Sequence, residues 1–414
     1  MSNMYQRFRE EIAAGGSVEE VEDPQAARSA KITGLVMLGL LALLAVRSPW
    51  TFLFVVGLLI SVFLHEVGHF STARLTGMKA TQFFMGFGPR VWSFKRGEVE
   101  YGVRALPLGA FVRIIGMNNV DEVAPEDESR AYRSQTFPRR LLVITAGSLM
   151  HMVIAFVLLF GVFSTAGREQ ATGRAVVQHI DTEHGTARNA GIQIGDALIS
   201  IDNKEVSSYD SITSAIRAHK VGDTISLVIE RNGVRNTITA QLAAHPADSS
   251  RPYFGIGADD WGWKQLGVAK SATQAVADIG GIVTDSVRGV VVALNPMNSI
   301  RHLTNQDSSL ETRPTTVVGA SQVSGAVGES DGVKGIVMML ASINVFVGVF
   351  NMFPLLPFDG GHAAIAIYER IRSRKGKRYS ADINKMVPVA TVVVGLLGFL
   401  LLVGLYLDVT QPLG

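Results

Sequence analysis

The chain has 414 residues and a formal net charge of +2, which is too small to indicate nucleic acid as a partner. Its apolar residues are clustered in long stretches, and this clustering favours a membrane protein over a set of soluble domains. The sequence contains no cysteine, so disulfide bonds and thiolate ligands are excluded, and a bound metal would need His, Asp or Glu.

The N-terminal segment, residues 1–31, carries charges of both signs and an acidic run at 19–23. It lacks the short basic start and the cleavage site of a signal peptide, so we predict a disordered cytoplasmic tail. The apolar stretch at 32–47 is short for a membrane span, and residues 47–50 are a tight connection to the next stretch. We favour a transmembrane helix at 32–47, with a re-entrant or interfacial helix as the alternative.

Several apolar stretches approach the length of about 20 residues that a helix needs to cross the hydrocarbon core of a lipid bilayer. The sequence therefore predicts a polytopic α-helical membrane protein with four or five transmembrane helices. We expect these helices at 32–47, 51–73, 140–164, 335–362, where the fourth ends in a D-G-G turn, and 386–408.

Lysine and arginine are concentrated in two segments, one between the second and third apolar stretches and the other at 370–385. The positive-inside rule places both segments in the cytoplasm. Five spans then put the N-terminal tail inside, and the polar region at 164–334 and the C-terminus outside. We therefore expect a multi-pass protein of the cell membrane.

The second apolar stretch contains the pattern H-E-x-x-H at His65, Glu66 and His69. A helix places the two histidines one turn apart on the same face, where both imidazoles can bind one zinc ion. Glu66 then lies beside the metal and can act as general base toward a water that zinc activates. A helix from residue 51 puts His65 roughly 21 Å into a core of about 30 Å, where ionisable side chains indicate a functional site. Histidines that hydrogen-bond to neighbouring helices are the alternative.

A catalytic zinc site needs a third protein ligand and an open position for water. No further histidine follows at a suitable spacing, but the sequence NMFPLLPFDGGH at 351–362 ends the fourth apolar stretch. We expect its helix to stop near Pro354 and to leave Asp359 in an extended turn. The predicted topology brings Asp359 to the same membrane side as the H-E-x-x-H pattern, so Asp359 is the predicted third ligand. A plain turn residue is the alternative for Asp359, and His362 is a weaker candidate ligand.

The two patterns together, H-E-x-x-H in one membrane helix and N-x-x-P with D-G in a later one, resemble the Site-2 protease family of intramembrane zinc metalloproteases. The segment at 80–117 resembles the family's G-x-G loop and membrane-associated β-hairpin. The resemblance implies zinc ligands at His65, His69 and Asp359, a general base at Glu66, and substrate-binding residues at Asn351, Gly86 and Gly88. It also implies a single-pass transmembrane protein as substrate, such as an anti-sigma factor that another protease has already shortened outside the membrane.

The chain departs from the family pattern at two points. Leu356 holds the place of the second proline of many bacterial members, and Pro357 follows it. Where the family has A-G-P-x-x-N, the sequence at 146–151 reads AGSLMH, so His151 replaces an asparagine. We favour a histidine that packs or hydrogen-bonds between helices, and a titrating role near the site is the alternative.

A protease that cuts inside a membrane must unwind its helical substrate and hold it extended, and an exposed strand edge can do this by β-augmentation. The residues at 90–94 and 99–105 are rich in β-forming types, with a turn at 95–98. We therefore predict that the hairpin is a substrate clamp with Val103 at its edge. A purely structural hairpin is the alternative.

The polar region contains the alternation and turns of a small α+β domain at 172–245, including a hairpin turn at Asn232 and Gly233. The sequence at 191–206 resembles the PDZ domains of bacterial membrane and periplasmic proteases. A PDZ groove binds a peptide strand, so the domain could sense a trimmed chain end or exclude bulky substrates.

The rest of the polar region, at 246–334, has a weaker pattern. We expect the C-terminal part of the PDZ region and connecting helices there. One of these helices, at 265–294, is predicted to be amphipathic and to lie along the protein or the membrane surface.

Two other classes of protein are possible. A PDZ-bearing membrane scaffold would retain the pattern without a metal, but all four residues needed for chemistry are present together. An ion transporter would also carry ionisable residues in membrane helices, but it explains neither the hairpin nor the PDZ-like insert. The sequence therefore predicts a zinc metalloendopeptidase that cuts within the membrane.

Overall fold

The computed structural model describes residues 24–117, 121–373, 379–382 and 385–413. It forms two compact units, one from the residues up to Gly161 together with Ala272–Gly414, and the other from Val162–Ser271. Most of the predicted tail, and the basic residues at 374–378, lie outside the described residues.

Helices and strands alternate along the chain in a fixed order. They are α1 (Pro24–Arg47), α2 (Pro49–Leu75), β1 (Ala80–Arg96), β2 (Val99–Ile114), α3 (Phe137–Thr165), β3 (Arg168–Ile180), β4 (Ala197–Ile201), β5 (Lys204–Glu205), α4 (Tyr209–Arg217), β6 (Thr224–Arg231), β7 (Val234–Gln241), β8 (Ala243–His245), β9 (Asp248–Tyr253), β10 (Ile256–Lys264), α5 (Val268–Ala293), α6 (Pro296–Leu303), α7 (Val317–Asn351), α8 (Asp359–Arg372) and α9 (Val387–Thr410).

Five helices in the described part of the chain are long and apolar enough to cross a membrane: α1, α2, α3, α7 and α9. The prediction of a polytopic α-helical membrane protein is therefore confirmed. α7 is the longest, and it bends at Gly332, whose φ of 64° and ψ of −147° are not helical. The side of the membrane that each helix end faces stays a prediction.

α2 and α7 pack closely along their middle sections. A Cβ atom on Gly57 would lie 2.5 Å from the Leu340 side chain, so this glycine is what allows α7 to come so near. Phe54, Ile336 and Leu340 form a buried apolar contact there. This packing matters for the site because α2 carries H-E-x-x-H and α7 leads to Asp359.

The chain after α7 differs from the prediction made from the sequence. α7 ends at Asn351, and Asp359 is the first residue of α8 rather than part of an extended turn. The glycines that follow explain the difference, because a Cβ atom on Gly360 would overlap the Met352 carbonyl and one on Gly361 would also meet backbone. Residues without side chains let α8 begin directly against the end of α7.

β1 and β2 form a hairpin in which both strands bend, so that four short segments lie side by side. In the main antiparallel register Met85 pairs with Ala110 and Trp92 pairs with Val103. Met85 also pairs with Val103 in a second register. The resulting order of segments is 90–96, 99–104, 82–85 and 110–114.

The prediction that Val103 lies at the edge of the hairpin is wrong. It has a partner on each side, Trp92 and Met85, and therefore lies inside the sheet. The bend in β1 has a local cause, because Gly86 and Gly88 have φ angles of 90° and 77°, which favour glycine. The edges are the segments at 90–96 and 106–114.

The second unit is built on an antiparallel sheet with the strand order β10-β3-β4-β6-β7, and β5 pairs with β4. Its core includes Leu198, Ile212 and Leu227, which brings α4 against the sheet. The turn predicted at Asn232 and Gly233 joins β6 to β7, with φ angles of 52° and 78°. These angles are typical of the tight turns that connect hairpin strands.

Candidate metal centre

Three ligand atoms meet between α2 and the start of α8. The Nε2 atoms of His65 and His69 are 3.1 Å apart, and Asp359 Oδ2 lies 3.4 Å from the first and 3.2 Å from the second. Ligand atoms about 2.1 Å from a tetrahedral zinc ion are separated from one another by about 3.4 Å, so these three atoms match such a site. The structure thus brings together the three ligands predicted from the sequence.

The orientation of His69 is set by the backbone of α3. Its Nδ1 atom lies 2.7 Å from the Val143 carbonyl oxygen. Because a carbonyl only accepts, the ring donates from Nδ1 and keeps the lone pair of Nε2 for a metal. Asp359 Oδ2 is buried and has no hydrogen-bond partner among the described residues, as expected for an oxygen that binds a metal.

Gly147 of α3 leaves the space between the two imidazoles open. A Cβ atom at this position would lie 2.6 Å from His65 Nε2 and would overlap His69 Nε2. Gly68 allows the same close approach from the other helix, because its Cβ atom would lie 2.8 Å from the Ala146 carbonyl oxygen. The absence of two side chains therefore provides room for a metal and a water at the imidazole nitrogens.

Glu66 lies beside the three ligands without belonging to their group. Its Oε1 atom is 3.9 Å from His65 Nε2, and its side chain is 16 % exposed. A carboxylate at this distance can reach a water in the open position of the site, which is the geometry that a general base needs. His362 does not belong to the ligand group either, so its candidacy as a ligand has no support.

The substrate-binding residues implied by the family resemblance lie on two elements. Asn351 is the last residue of α7, and within the described part of the chain its side chain has no hydrogen-bond partner. Gly86 lies at the bend of β1, where a Cβ atom would come within 2.6 Å of the Leu106 carbonyl oxygen, and Gly88 contacts the Leu106 side chain. Both glycines thus shape the hairpin, and their contact with a substrate stays a prediction.

His151 hydrogen-bonds between helices, in agreement with the favoured interpretation. Its Nδ1 atom is 2.8 Å from Asn344 Oδ1, and the Asn344 amide donates to Ser61 Oγ at 3.0 Å. The His151 ring also lies 4.9 Å from the His65 ring, centroid to centroid. The chain Ser61–Asn344–His151 therefore connects α2, α7 and α3 behind a metal ligand. Sequence reasoning missed Asn344, although an asparagine inside an apolar stretch is the signal that could have found it.

The donor set of two imidazole nitrogens and one carboxylate oxygen, with a neighbouring glutamate, is that of a zinc metalloprotease. Both parts of this set belong to a bundle of helices that is apolar enough for a membrane. The class is therefore a membrane zinc metalloprotease. Residues 53–395 match the model of Peptidase family M50, and the chain belongs to this family. The resemblance to the Site-2 proteases is thereby confirmed.

Two relatives match nearly the whole chain. Zinc metalloprotease Rip1 of Mycobacterium tuberculosis is 32 % identical over 399 residues, which cover 87 % of this chain and 97 % of the relative. Zinc metalloprotease Rip1 of Mycolicibacterium smegmatis is 32 % identical over 405 residues, with the same coverage of 87 % and 97 %. These relatives support the assignment of the enzyme and its zinc cofactor.

The second unit has a weaker likeness to solved structures. The PDZ domain of the SdrC-like protein from Listeria monocytogenes shares 20 % identity, covers 20 % of this chain and 85 % of its own, and overlays with a TM-score of 0.18. A score this low supports no structural argument. The PDZ character of the unit stays a prediction from its sequence.

Proposed function

We propose that this zinc metalloprotease hydrolyses peptide bonds within the transmembrane segments of single-pass membrane proteins. The observation that carries the proposal is the position of the ligands. His65 and His69 lie within α2, a helix long and apolar enough to span a bilayer, and Asp359 follows α7, another such helix. A metal site between these helices is accessible to a substrate that is itself in the membrane.

The chemistry is divided among few residues. When bound by His65, His69 and Asp359, zinc supplies Lewis-acid chemistry that activates a water and polarises the scissile carbonyl. Glu66 accepts the proton of that water and can pass it to the leaving amine. The free amide of Asn351 can donate a hydrogen bond to the substrate backbone or to the developing oxyanion.

An edge of the hairpin is suited to hold an unwound substrate. Within the described residues, the segment at 106–111 has strand partners on one side only. The same strand continues to Ile114, which packs with Ala73 of α2 and with Val143 of α3, and the Val143 carbonyl oxygen orients His69. A peptide added to this edge would therefore run toward the metal centre.

Backbone methylation of the substrate tests this edge. We expect N-methylation of every second amide next to the scissile bond to lower cleavage by about 3- to 10-fold, because alternate amides of an added strand face the hairpin. The intervening amides are the matched controls and should tolerate methylation. The measurement is the initial cleavage rate of synthetic substrates in proteoliposomes. A rate loss without alternation would rule out β-augmentation.

The active site is proposed to lie toward the cytoplasm, with the residues at 164–334 outside. This orientation rests on the positive-inside rule applied to the basic segments that flank α3 and α9 in the sequence. Cleavage would then release a fragment of the substrate to the cytoplasm. An anti-sigma factor trimmed outside the membrane, as the family resemblance implies, is the proposed kind of substrate.

The second unit is proposed to bind a peptide. It has a cavity of about 110 Å³ between α4 and the strands β9 and β10. Apolar side chains and two cations surround it, including Ile212, Ile256, Arg217 and Arg251. Apolar contacts next to positive charge suit a chain end with its free carboxylate, which favours sensing of a trimmed substrate over simple exclusion by size.

The Asp359→Asn variant tests the proposed function. We expect this variant to bind zinc about 100-fold more weakly and to lose cleavage of a model single-pass substrate, because an amide is a poorer ligand than a carboxylate. Asp285→Asn is the matched control, since that side chain is 77 % exposed on α5. Metal analysis and cleavage in proteoliposomes are the two measurements. Full activity of Asp359→Asn, or cleavage restricted to water-soluble peptides, would contradict the proposal.

A further inference from the structure

The membrane unit contains an apolar cavity of about 480 Å³ between α3, α5 and α7. This volume falls within the range of about 300–1,000 Å³ typical of ligand sites in proteins. The residues that define it are Ser148, Leu149, Val283, Val287, Val349 and Phe353. Apart from Ser148, these side chains offer a ligand apolar contact only.

The cavity adjoins both halves of the metal centre. Its Ser148 wall follows Gly147, the residue that faces the imidazoles of the ligands. Its opposite wall includes Met352 and Phe353, which follow Asn351 and whose backbone packs against Gly360. In an extended peptide, successive residues are only about 3.3 Å apart. A peptide bond held at the metal centre would therefore have its neighbouring side chain at this cavity.

Ser148 adds one polar group to the apolar wall. The residue is 4 % exposed, and within the described part of the chain its Oγ atom has no hydrogen-bond partner. A buried hydroxyl without a partner is unfavourable unless a ligand satisfies it. An unwound transmembrane segment carries free backbone carbonyl groups, which are acceptors of the required kind.

We propose that this cavity is a specificity subsite that accepts a bulky apolar side chain next to the scissile bond, while the Ser148 hydroxyl donates to a substrate carbonyl. The proposal rests on the proposed function and adds the choice of cleavage site to it. The enzyme selects leucine, isoleucine or phenylalanine over alanine at this substrate position. Ser148 stands where the family pattern has proline, so the hydroxyl donor is a property of this chain.

Filling the cavity tests the subsite. Val287→Phe adds volume to its wall, and Val276→Phe is the matched control, because that side chain lies outside the cavity and is 61 % exposed. The substrates are single-pass peptides with alanine or leucine beside the scissile bond. We expect the wild type to prefer leucine by about 10-fold or more. Val287→Phe should bring the ratio close to one, with alanine substrate and zinc content unchanged, whereas Val276→Phe should keep the preference.

Photo-crosslinking supplies a second measurement that does not need turnover. A diazirine analogue of leucine at the same substrate position, bound to the Glu66→Gln variant, should crosslink to the segments around Leu149 and Val287. Crosslinks confined to other helices, or equal loss of both substrates in Val287→Phe, would overturn the subsite. An unchanged leucine preference in Val287→Phe would also overturn it and leave a lipid chain as the occupant. Absence of cleavage by the wild type would instead count against the proposed function, while the crosslinks still test the cavity.

Discussion

Replacing Glu66 with glutamine is expected to lower cleavage by about 100- to 10,000-fold and to leave zinc content unchanged. Glutamine has nearly the size of glutamate but cannot accept a proton from water at neutral pH. Glu66 does not belong to the group of ligand atoms formed by His65, His69 and Asp359, so its loss should not release the metal. The measurements are the initial cleavage rate of a model single-pass substrate and the metal content of the purified protein.

The control for this variant is Glu329→Gln, which makes the same chemical change at an exposed position of α7. It should retain both zinc and cleavage. The comparison with Asp359→Asn is also informative, because that variant should lose both properties. Substantial cleavage by Glu66→Gln would show that another group takes the proton, and loss of zinc would show that Glu66 helps to bind it.

Replacing Gly147 with alanine is expected to abolish zinc binding and, with it, cleavage. The added methyl group would lie 2.6 Å from His65 Nε2 and would overlap His69 Nε2, so it would occupy the space where the metal is expected. The obstruction cannot be relieved easily, because α2 and α3 are in close backbone contact at Gly68. Metal analysis of the purified variant is the direct measurement.

Gly161→Ala provides the matched control on the same helix, since a Cβ atom at Gly161 would meet no atom within 4 Å. Both variants gain helix propensity in the same way, so a general effect on α3 would appear in both. We expect zinc loss only in Gly147→Ala. Normal zinc content in that variant would mean that α2 and α3 can separate enough to accept a methyl group.

Much of the site could be predicted from the sequence because its parts depend on local periodicity. The helical repeat alone brings His65 and His69 to one face, and the chemistry of H-E-x-x-H assigns Glu66 a role. Asp359 required one more step, in which the charge of the loops oriented the helices. The family resemblance that these residues carried then agreed with the match to Peptidase family M50.

Other features were beyond the reach of the sequence because they depend on which distant segments meet. Val103 has every sign of an edge residue until the bend at Gly86 brings Met85 beside it. Asp359 begins a helix because Gly360 allows contact with the end of α7. Neither outcome follows from the local pattern of β-forming residues or from the turn composition of D-G-G.

The sequence by itself determined the apolar spans, the identity of the ligands and the turn at Asn232 and Gly233, since each depends on residues close together in the chain. Tertiary structure alone decided the open space at Gly147 and the apolar cavity beside Ser148. Both depend on side chains that are absent or that converge from separate helices. Packing between helices, rather than local preference, therefore determines how much room the metal centre has and which side chain could lie beside it.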